Sequence, residues 1–523
     1  MPPAHFAVNY AKSTRKVPAM LAKLRFGPNI HSNNSSPSYL PVMEEKKKNQ
    51  QDEKTPGKAK KAPRPLTEDP MYIIEDTKNR NWKYFLQFLF IISVVILAYT
   101  TGVFDLYKYY EYMTQPQLSG AENILAENPL IDGHNDLLIL LRAIYGNKIY
   151  DSNFTKPFEK GGLTGQFDIP RAEAGQLGGT FWSAWVPCPA DGFDFSNENY
   201  APYVRATLEQ IDLYNRLSEK YPKYFTLPTN AAEAERNFAS GDKLISPLAI
   251  EGLHQISNSA ATLRLYHSLG VRYATLNWNC HTRYSDAAVV SIDGESQRSK
   301  PYWHGVSPDG QLLVREMNRL GMLVDLSHVS ADTMRDVLGG NPKKWTGSLA
   351  PPIFSHSSVY SICPHPRNVP DDVLDLVKKR NAVVMINFAP DFISCKDSSN
   401  PNGLPDFVEE TNTIDHVVKH IMYIGEKIGY DHVGLGSDFD GIPNTPRGLE
   451  DVSKYPVLIE RLLEKGVSEK DCAKIAGRNV LRVWHEVDRV AERLQKELDP
   501  LEDEAGMGMV YFDGQGVEVG SQR

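Results

Sequence analysis

PLIDGHND (129–136) is a short apolar run that closes on His134 and Asp136, two side chains that bind divalent metals. Four later runs close in the same way. LISPLAIEG (244–252) carries Glu251 at its end, GMLVDLSH (321–328) ends on His328, PPIFSH (351–356) on His356, and HVGLGSD (432–438) on Asp438. An α/β barrel brings such endings together, because the C-terminal ends of its parallel strands open on one mouth. The pattern implies a metal site assembled from distant parts of the chain.

Working outward from these runs, the chain from residue 128 alternates strand and helix. Besides the five endings, GGTFWSAWVP (178–187), VRYATLNWN (271–279) and AVVMINF (382–388) read as strands, which makes eight. Between them lie helical stretches such as GQLLVREMNRLG (310–321), and Gly270, Gly321 and Gly429 stand where helices stop. Eight strands in this alternation give an α/β fold, a TIM-type (β/α)8 barrel, over about 125–495. The rival is an open doubly wound sheet, but no GxGxxG turn or phosphate loop supports it.

The 523 residues carry 41% hydrophobic and 23% charged side chains, as an ordinary globular protein does. The net charge of −8 conceals a split. Residues 1–83 hold 16 Lys/Arg against 8 Asp/Glu, and the remainder 41 against 57. An acidic catalytic region excludes nucleic acid as a partner, since phosphate binding needs a basic footprint.

Residues 84–104 (YFLQFLFIISVVILAYTTGVF) contain no charge. As a helix they span about 31 Å against a hydrocarbon core of about 30 Å. A cleaved signal peptide sits at the very N-terminus, so this segment reads as a transmembrane signal anchor. Lys78, Arg80 and Lys83 precede it, and by the positive-inside rule the N-terminus is cytosolic. The expectation is a single-pass type II membrane protein whose barrel is extracellular or luminal. Residues 1–83 read as a disordered basic tail, 105–124 as a stalk, and 496–523 as an acidic flexible tail. Five cysteines (188, 280, 363, 395 and 472) all follow the anchor, on the side where disulfides form. Asn153 opens the one sequon beyond the anchor, a glycosylation candidate.

Each strand-end residue has a plain reading when taken singly. A His-x-Asp pair is common on surfaces, Glu251 would serve in a buried ion pair, and a core histidine accounts for His328 or His356. Five endings in barrel order are different. Three His and two carboxylates exceed the usual three protein ligands of a catalytic zinc. They suit two metals about 3.5–4 Å apart that share a carboxylate, hold a hydroxide and polarise a carbonyl. Asp438 is then a sixth residue, placed to manage protons.

The chain resembles the membrane (renal-type) dipeptidase family over about 125–490. The segments that carry the resemblance are IDGHND (131–136), FDIPRAEAGQLGGTFWSAWVPC (167–188), AIEGLHQI (249–256), GVSPDGQLLVREMNRLGMLVDLSHVS (305–330), IFSHSS (353–358), CPHPRNVPDDVL (363–374), VGLGSDFDG (433–441) and IAGRNVLRVW (475–484). The resemblance implies a zinc-dependent barrel hydrolase that cleaves dipeptides, with two zinc ions per chain. It implies that His134 and Asp136 bind the first zinc, that His328 and His356 bind the second, and that Glu251 bridges both. Asp438 resembles the residue that shuttles the proton of the attacking water, and Arg367 the anchor of the substrate carboxylate. A structural salt bridge of Arg367 to Asp371 or Asp372 is the alternative. Cys188 with Cys280, and Cys363 with Cys395, match positions that the family pairs, which leaves Cys472 over. One position departs: Trp278 stands where animal members place a substrate-contacting His, and His254 and His281 nearby read as structural.

Two other functions compete with this reading. A non-catalytic membrane-anchored ectodomain that keeps the barrel for binding would tolerate loss of a metal ligand, yet all five are present. A barrel glycosidase with paired carboxylates explains Glu251 and Asp438 but leaves three histidines idle. A homodimer is a further open expectation.

Overall fold

The computed structural model describes residues 71–100, 119–241, 243–292, 294–503, 511–512 and 517–518. Eight strands close a barrel: β1 (Leu130–Asn135), β2 (Leu177–Ser183), β3 (Leu248–Glu251), β4 (Val271–Thr275), β5 (Leu323–Asp325), β6 (Ile353–Phe354), β7 (Val383–Ile386) and β8 (Val433–Leu435). They follow one another around the barrel in chain order, every neighbour parallel, and β8 returns to β1. All residues of these strands are buried, because helices cover the outside and side chains fill the inside. That is why they read as almost unbroken apolar runs.

Alternation along the strands sorts the core into two layers. Ile131, Phe181, Ala249, Tyr273, Leu323, Ile353 and Val383 fill the interior, joined by Trp484 and Val487 of the helix Asn479–Glu497. Leu130, Leu248, Ile250, Val324, Phe354, Val384 and Leu435 belong to the cluster beneath the outer helices. Two glycines narrow the barrel where the site lies. A Cβ at Gly133 would come within 2.3 Å of the Ser355 carbonyl oxygen, and one at Gly436 within 1.8 Å. Only glycine allows β1 and the end of β8 to press so close to the chain beside His356.

Several boundaries differ from the sequence reading. The barrel unit begins before residue 125: Ser119 and Glu122 form a capping box on the helix Gly120–Glu127, whose Ala121 N–H donates to Glu460 at 3.2 Å. The acidic end is held against the barrel as far as Asp503, which accepts from the Ala260 and Ala261 amides. An antiparallel hairpin, Val289–Ile292 with Glu295–Arg298, lies in a stretch to which the sequence reading assigned no element. A separate unit contains the helix Met71–Thr100, which starts inside the stretch read as tail. Its part Asn81–Thr100 is long and apolar enough to cross a membrane, and none of it is buried in protein. Residues 1–70 and 101–118 lie outside the described residues, and with them most of the expected tail and stalk.

Candidate metal centre

The strand ends converge as the barrel requires. His134 lies in β1, Glu251 is the last residue of β3, and Asp136, His328, His356 and Asp438 stand one to three residues past β1, β5, β6 and β8. His328 and Asp438 take left-handed backbone angles (φ 68° and 67°), an uncommon conformation that turns the chain sharply off the strand. Asp136 occupies the N-cap position of the helix Leu137–Tyr145 without a side-chain capping bond, so the His-x-Asp spacing survives although its second member has left the strand.

Glu251 divides its two oxygens between two groups. Oε2 is 3.5 Å from His134 Nε2, which is itself 3.1 Å from Asp136 Oδ2. Oε1 is 2.7 Å from His328 Nε2 and 3.5 Å from His356 Nε2, and those two nitrogens are 3.0 Å apart. Two three-ligand clusters thus share one carboxylate, each with its ligand atoms within 4.8 Å of one another.

The hydrogen bonds behind the rings fix their tautomers. Tyr273 donates its hydroxyl to Gly133 O at 3.2 Å, so its oxygen accepts from His134 Nδ1 at 2.6 Å. Ser355 donates to Asp325 at 2.7 Å and accepts from His356 Nδ1 at 2.8 Å. His328 Nδ1 donates to Asn279 Oδ1 at 3.0 Å. Each ring therefore spends its Nδ1–H outward and turns Nε2 inward, the arrangement of metal-binding imidazoles. Burial pushes His328 down to about 3 and His356 well below its usual range, which keeps both neutral as ligands must be. His134 goes the other way. Burial opposes its charge, but Tyr273, Asp136 and Glu251 outweigh that and draw a proton in. A divalent cation supplies the same compensation.

Those donors fit a metal pair. Among the described residues, the buried carboxylates Asp136 and Glu251 have no Lys or Arg partner within ion-pair distance, and Asp136 Oδ1 has no hydrogen-bond partner. Imidazole nitrogen with carboxylate oxygen is the ligand chemistry of zinc and similar ions. A further cluster, Cys188, His254 and Cys280, offers no thiolate because the two sulfurs are bonded to each other.

Asp438 lies at the edge of the centre, partly exposed, with a carboxylate oxygen within 4.8 Å of the ligand nitrogens of His134 and His356. Burial pushes its carboxyl up to about 7; Asp136 and Glu251 add to the rise, while His134 and Arg367 act against it. Asn387 donates to its Oδ2 at 3.1 Å. Arg367 is buried, yet among the described residues its one side-chain hydrogen bond is a long donation to His356 O at 3.5 Å. Its Nε has no partner among the described residues, and the guanidinium lies 5.0 Å above the Phe392 ring. Asp372 pairs with Arg335 at 2.7 Å and Asp371 with Lys427 at 3.3 Å, so neither carboxylate is tied to Arg367. His254 packs against Val186 O, and His281 sits 3.0 Å from Asp286. Both are engaged away from the centre.

Sequence reading missed the residues behind the ligands: Tyr273, Asn279, Asp325, Ser355 and Asn387. One signal for them existed. Asp132 and Asp325 are charges inside apolar runs, each just ahead of a ligand histidine. Asp132 accepts from the Ser437 N–H at 2.7 Å and the Tyr455 hydroxyl at 2.6 Å, while Asp325 accepts from the Ser355 N–H at 2.7 Å and the Thr275 hydroxyl at 2.6 Å. Each braces a neighbouring strand end that carries a site residue.

The cysteines pair as the resemblance implied. Cys188–Cys280 and Cys363–Cys395 are disulfides, and Cys472 is free and buried.

Comparison with known proteins shows the family. Residues 118–498 match the model of the membrane dipeptidase family, peptidase family M19. The chain is 44% identical over 389 residues to dipeptidase aclJ of Aspergillus oryzae, covering 74% of this chain and 84% of that protein. It is 43% identical over 372 residues to dipeptidase tcpJ of Claviceps purpurea, covering 71% and 80%. Among solved structures, a metallopeptidase of Rhodobacter sphaeroides liganded with a phosphinate mimic of L-Ala-D-Ala superposes with a TM-score of 0.56 at 25% identity, covering 69% of this chain and 99% of that one. The dipeptidase AC, also of family M19, gives 0.57 at 26%, covering 69% and 98%. The chain belongs to the membrane dipeptidase family, and it is a hydrolase of peptide bonds.

Proposed function

We propose that the protein is a dizinc dipeptidase anchored in a membrane by one helix. The observation that carries the metal reading is the division of Glu251 between His134/Asp136 and His328/His356. His134 and Asp136 would hold one ion, His328 and His356 the other, and Glu251 both. When bound, such a pair lowers the pKa of water to near neutrality and polarises the scissile carbonyl. Tyr273, Ser355 and Asn279 keep the three imidazoles in the ligating tautomer, and Asp438 takes the proton of the attacking water and delivers it to the leaving amine. Arg367 receives the substrate's terminal carboxylate, for which its planar fork is suited. The full-length protein in detergent is expected to hold about two zinc ions per chain, to lose dipeptide hydrolysis to a chelator, and to regain it with zinc. An active preparation with one metal or none overturns the dizinc reading.

Arg367→Lys tests the anchor. Lysine keeps the charge and loses the fork, so KM for dipeptides should rise roughly ten- to a hundredfold, the ~1.5–3 kcal/mol of a charge-assisted hydrogen bond. Metal content should stay at the wild-type level. Equal turnover of free and C-terminally amidated dipeptides by the unmodified protein would remove Arg367 from this role.

The basic flank before Asn81–Thr100 and the two disulfides support an N-terminus in the cytosol and a barrel in the oxidising space beyond. Asn153 is exposed on that barrel and open to glycosylation. Protease added outside sealed secretory vesicles should trim the N-terminal tail and spare the barrel. Digestion of the barrel with the tail intact reverses the topology.

A further inference from the structure

Two tryptophans meet on the rim of the metal centre. Trp185 stands two residues past β2 and Trp278 three past β4, and both are partly exposed. Their ring centroids are 4.9 Å apart, edge to face at 71°, and the Trp278 ring is 6.2 Å from that of His328. The Cys188–Cys280 disulfide joins the same two segments, three residues after Trp185 and two after Trp278. It acts as a strut that holds the pair in place. A second aromatic group stands near the disulfide: Phe193 lies 5.7 Å from His281, the neighbour of Cys280, and 6.5 Å from Tyr302. Phe193 and Tyr302 are 52% and 50% exposed. Single exposed aromatics need no explanation, whereas two tryptophans packed together beside a reaction centre, with further exposed aromatics on the adjoining segments, do.

We propose that Trp185 and Trp278 form an aromatic wall of the substrate pocket that receives a large aromatic side chain of the dipeptide and makes the protein selective for such substrates. The inference rests on the dipeptidase reading of the adjoining site. A T-shaped indole pair offers both a ring face and a ring edge, so a third ring gains contact with either. Because the disulfide fixes the wall beforehand, little ordering cost falls on binding. Neither indole touches the ligand set's hydrogen bonds, so the wall sorts substrates without taking part in the chemistry. If the rings served only to pack two loops together, their loss would change stability and leave the ranking of substrates as it was.

The test compares kcat/KM for Ala-Ala, Phe-Ala and Ala-Phe with the full-length, metal-loaded protein in detergent. At least one Phe dipeptide should exceed Ala-Ala by about tenfold, the size of an aromatic contact and its buried area. Trp278→Ala and Trp185→Ala should each cut that ratio severalfold, and Trp278→Phe should retain most of it. Metal content and circular dichroism identify variants that have not folded; the conservative variant and the other tryptophan then decide. Equal kcat/KM for all three dipeptides in the wild type overturns the inference alone and needs no variant. An unchanged ratio in folded alanine variants does the same. Absence of turnover for every dipeptide overturns the dipeptidase reading beneath it.

Discussion

Glu251→Gln is expected to empty both metal positions of the full-length protein, weakening each by a hundredfold or more, and to bring dipeptide hydrolysis below detection. The expectation follows from how the side chain is shared. One oxygen faces His134 and Asp136, the other faces His328 and His356, so a single substitution touches both groups. Glutamine keeps the shape and one carbonyl oxygen, but its amide nitrogen must point at one of the two sets of imidazole lone pairs. The formal charge that offsets both cations is also lost. Residues merely behind a ligand cost about 10–100-fold in metal affinity, and a bridging ligand exceeds them. The barrel itself should stay folded, since a neutral isostere removes a buried charge and leaves no cavity. Metal analysis beside circular dichroism reads both outcomes. Retention of one ion at full occupancy would assign Glu251 to the other position alone, and retention of both would end its bridging role.

The sequence announced the barrel because its strands are buried on both faces, so runs such as GMLVDLSH stand out as apolar stretches with polar endings. The candidate ligands were legible for the same reason: His and Glu at the close of an apolar run are conspicuous. Their supports were not. Tyr273 sits inside β4 and looks like any core aromatic, yet its hydroxyl reaches His134 across 139 residues of chain. Asp503 closes the N-terminus of the helix Ala260–Ser268 from 243 residues away, so the acidic end reads as loose until the fold brings its partner near. The hairpin Val289–Arg298 escaped because its second strand is mostly exposed and shows no apolar alternation. Ser119 and Glu122 are the opposite case. Their capping-box spacing was readable and marks the start of the barrel unit.

Asp438→Asn is expected to lower kcat by about 10²–10⁴-fold, the usual contribution of a positioned general acid–base group. Zinc content and affinity for a dipeptide analogue should stay nearly unchanged. The geometry gives the carboxylate its access. It stands past the end of β8 at the barrel mouth, within 4.8 Å of ligand atoms on His134 and His356, and it retains exposure to solvent. Asn387 donates to Oδ2 and holds the group in place. Asparagine preserves that volume and an acceptor for Asn387, but it cannot carry a proton. The nearest rival, Asp440, is committed elsewhere: its Oδ1 accepts from the Gln166 N–H at 2.5 Å, and its own N–H donates to the Gln166 side chain at 2.7 Å. Asp440→Asn should therefore disturb the segment around Gln166 more than turnover. The same closeness to His134 and His356 would also let Asp438 serve as a ligand, and metal analysis separates the two roles. Loss of zinc along with kcat would make Asp438 a ligand, whereas a folded, zinc-loaded variant with wild-type kcat would move the proton to another group.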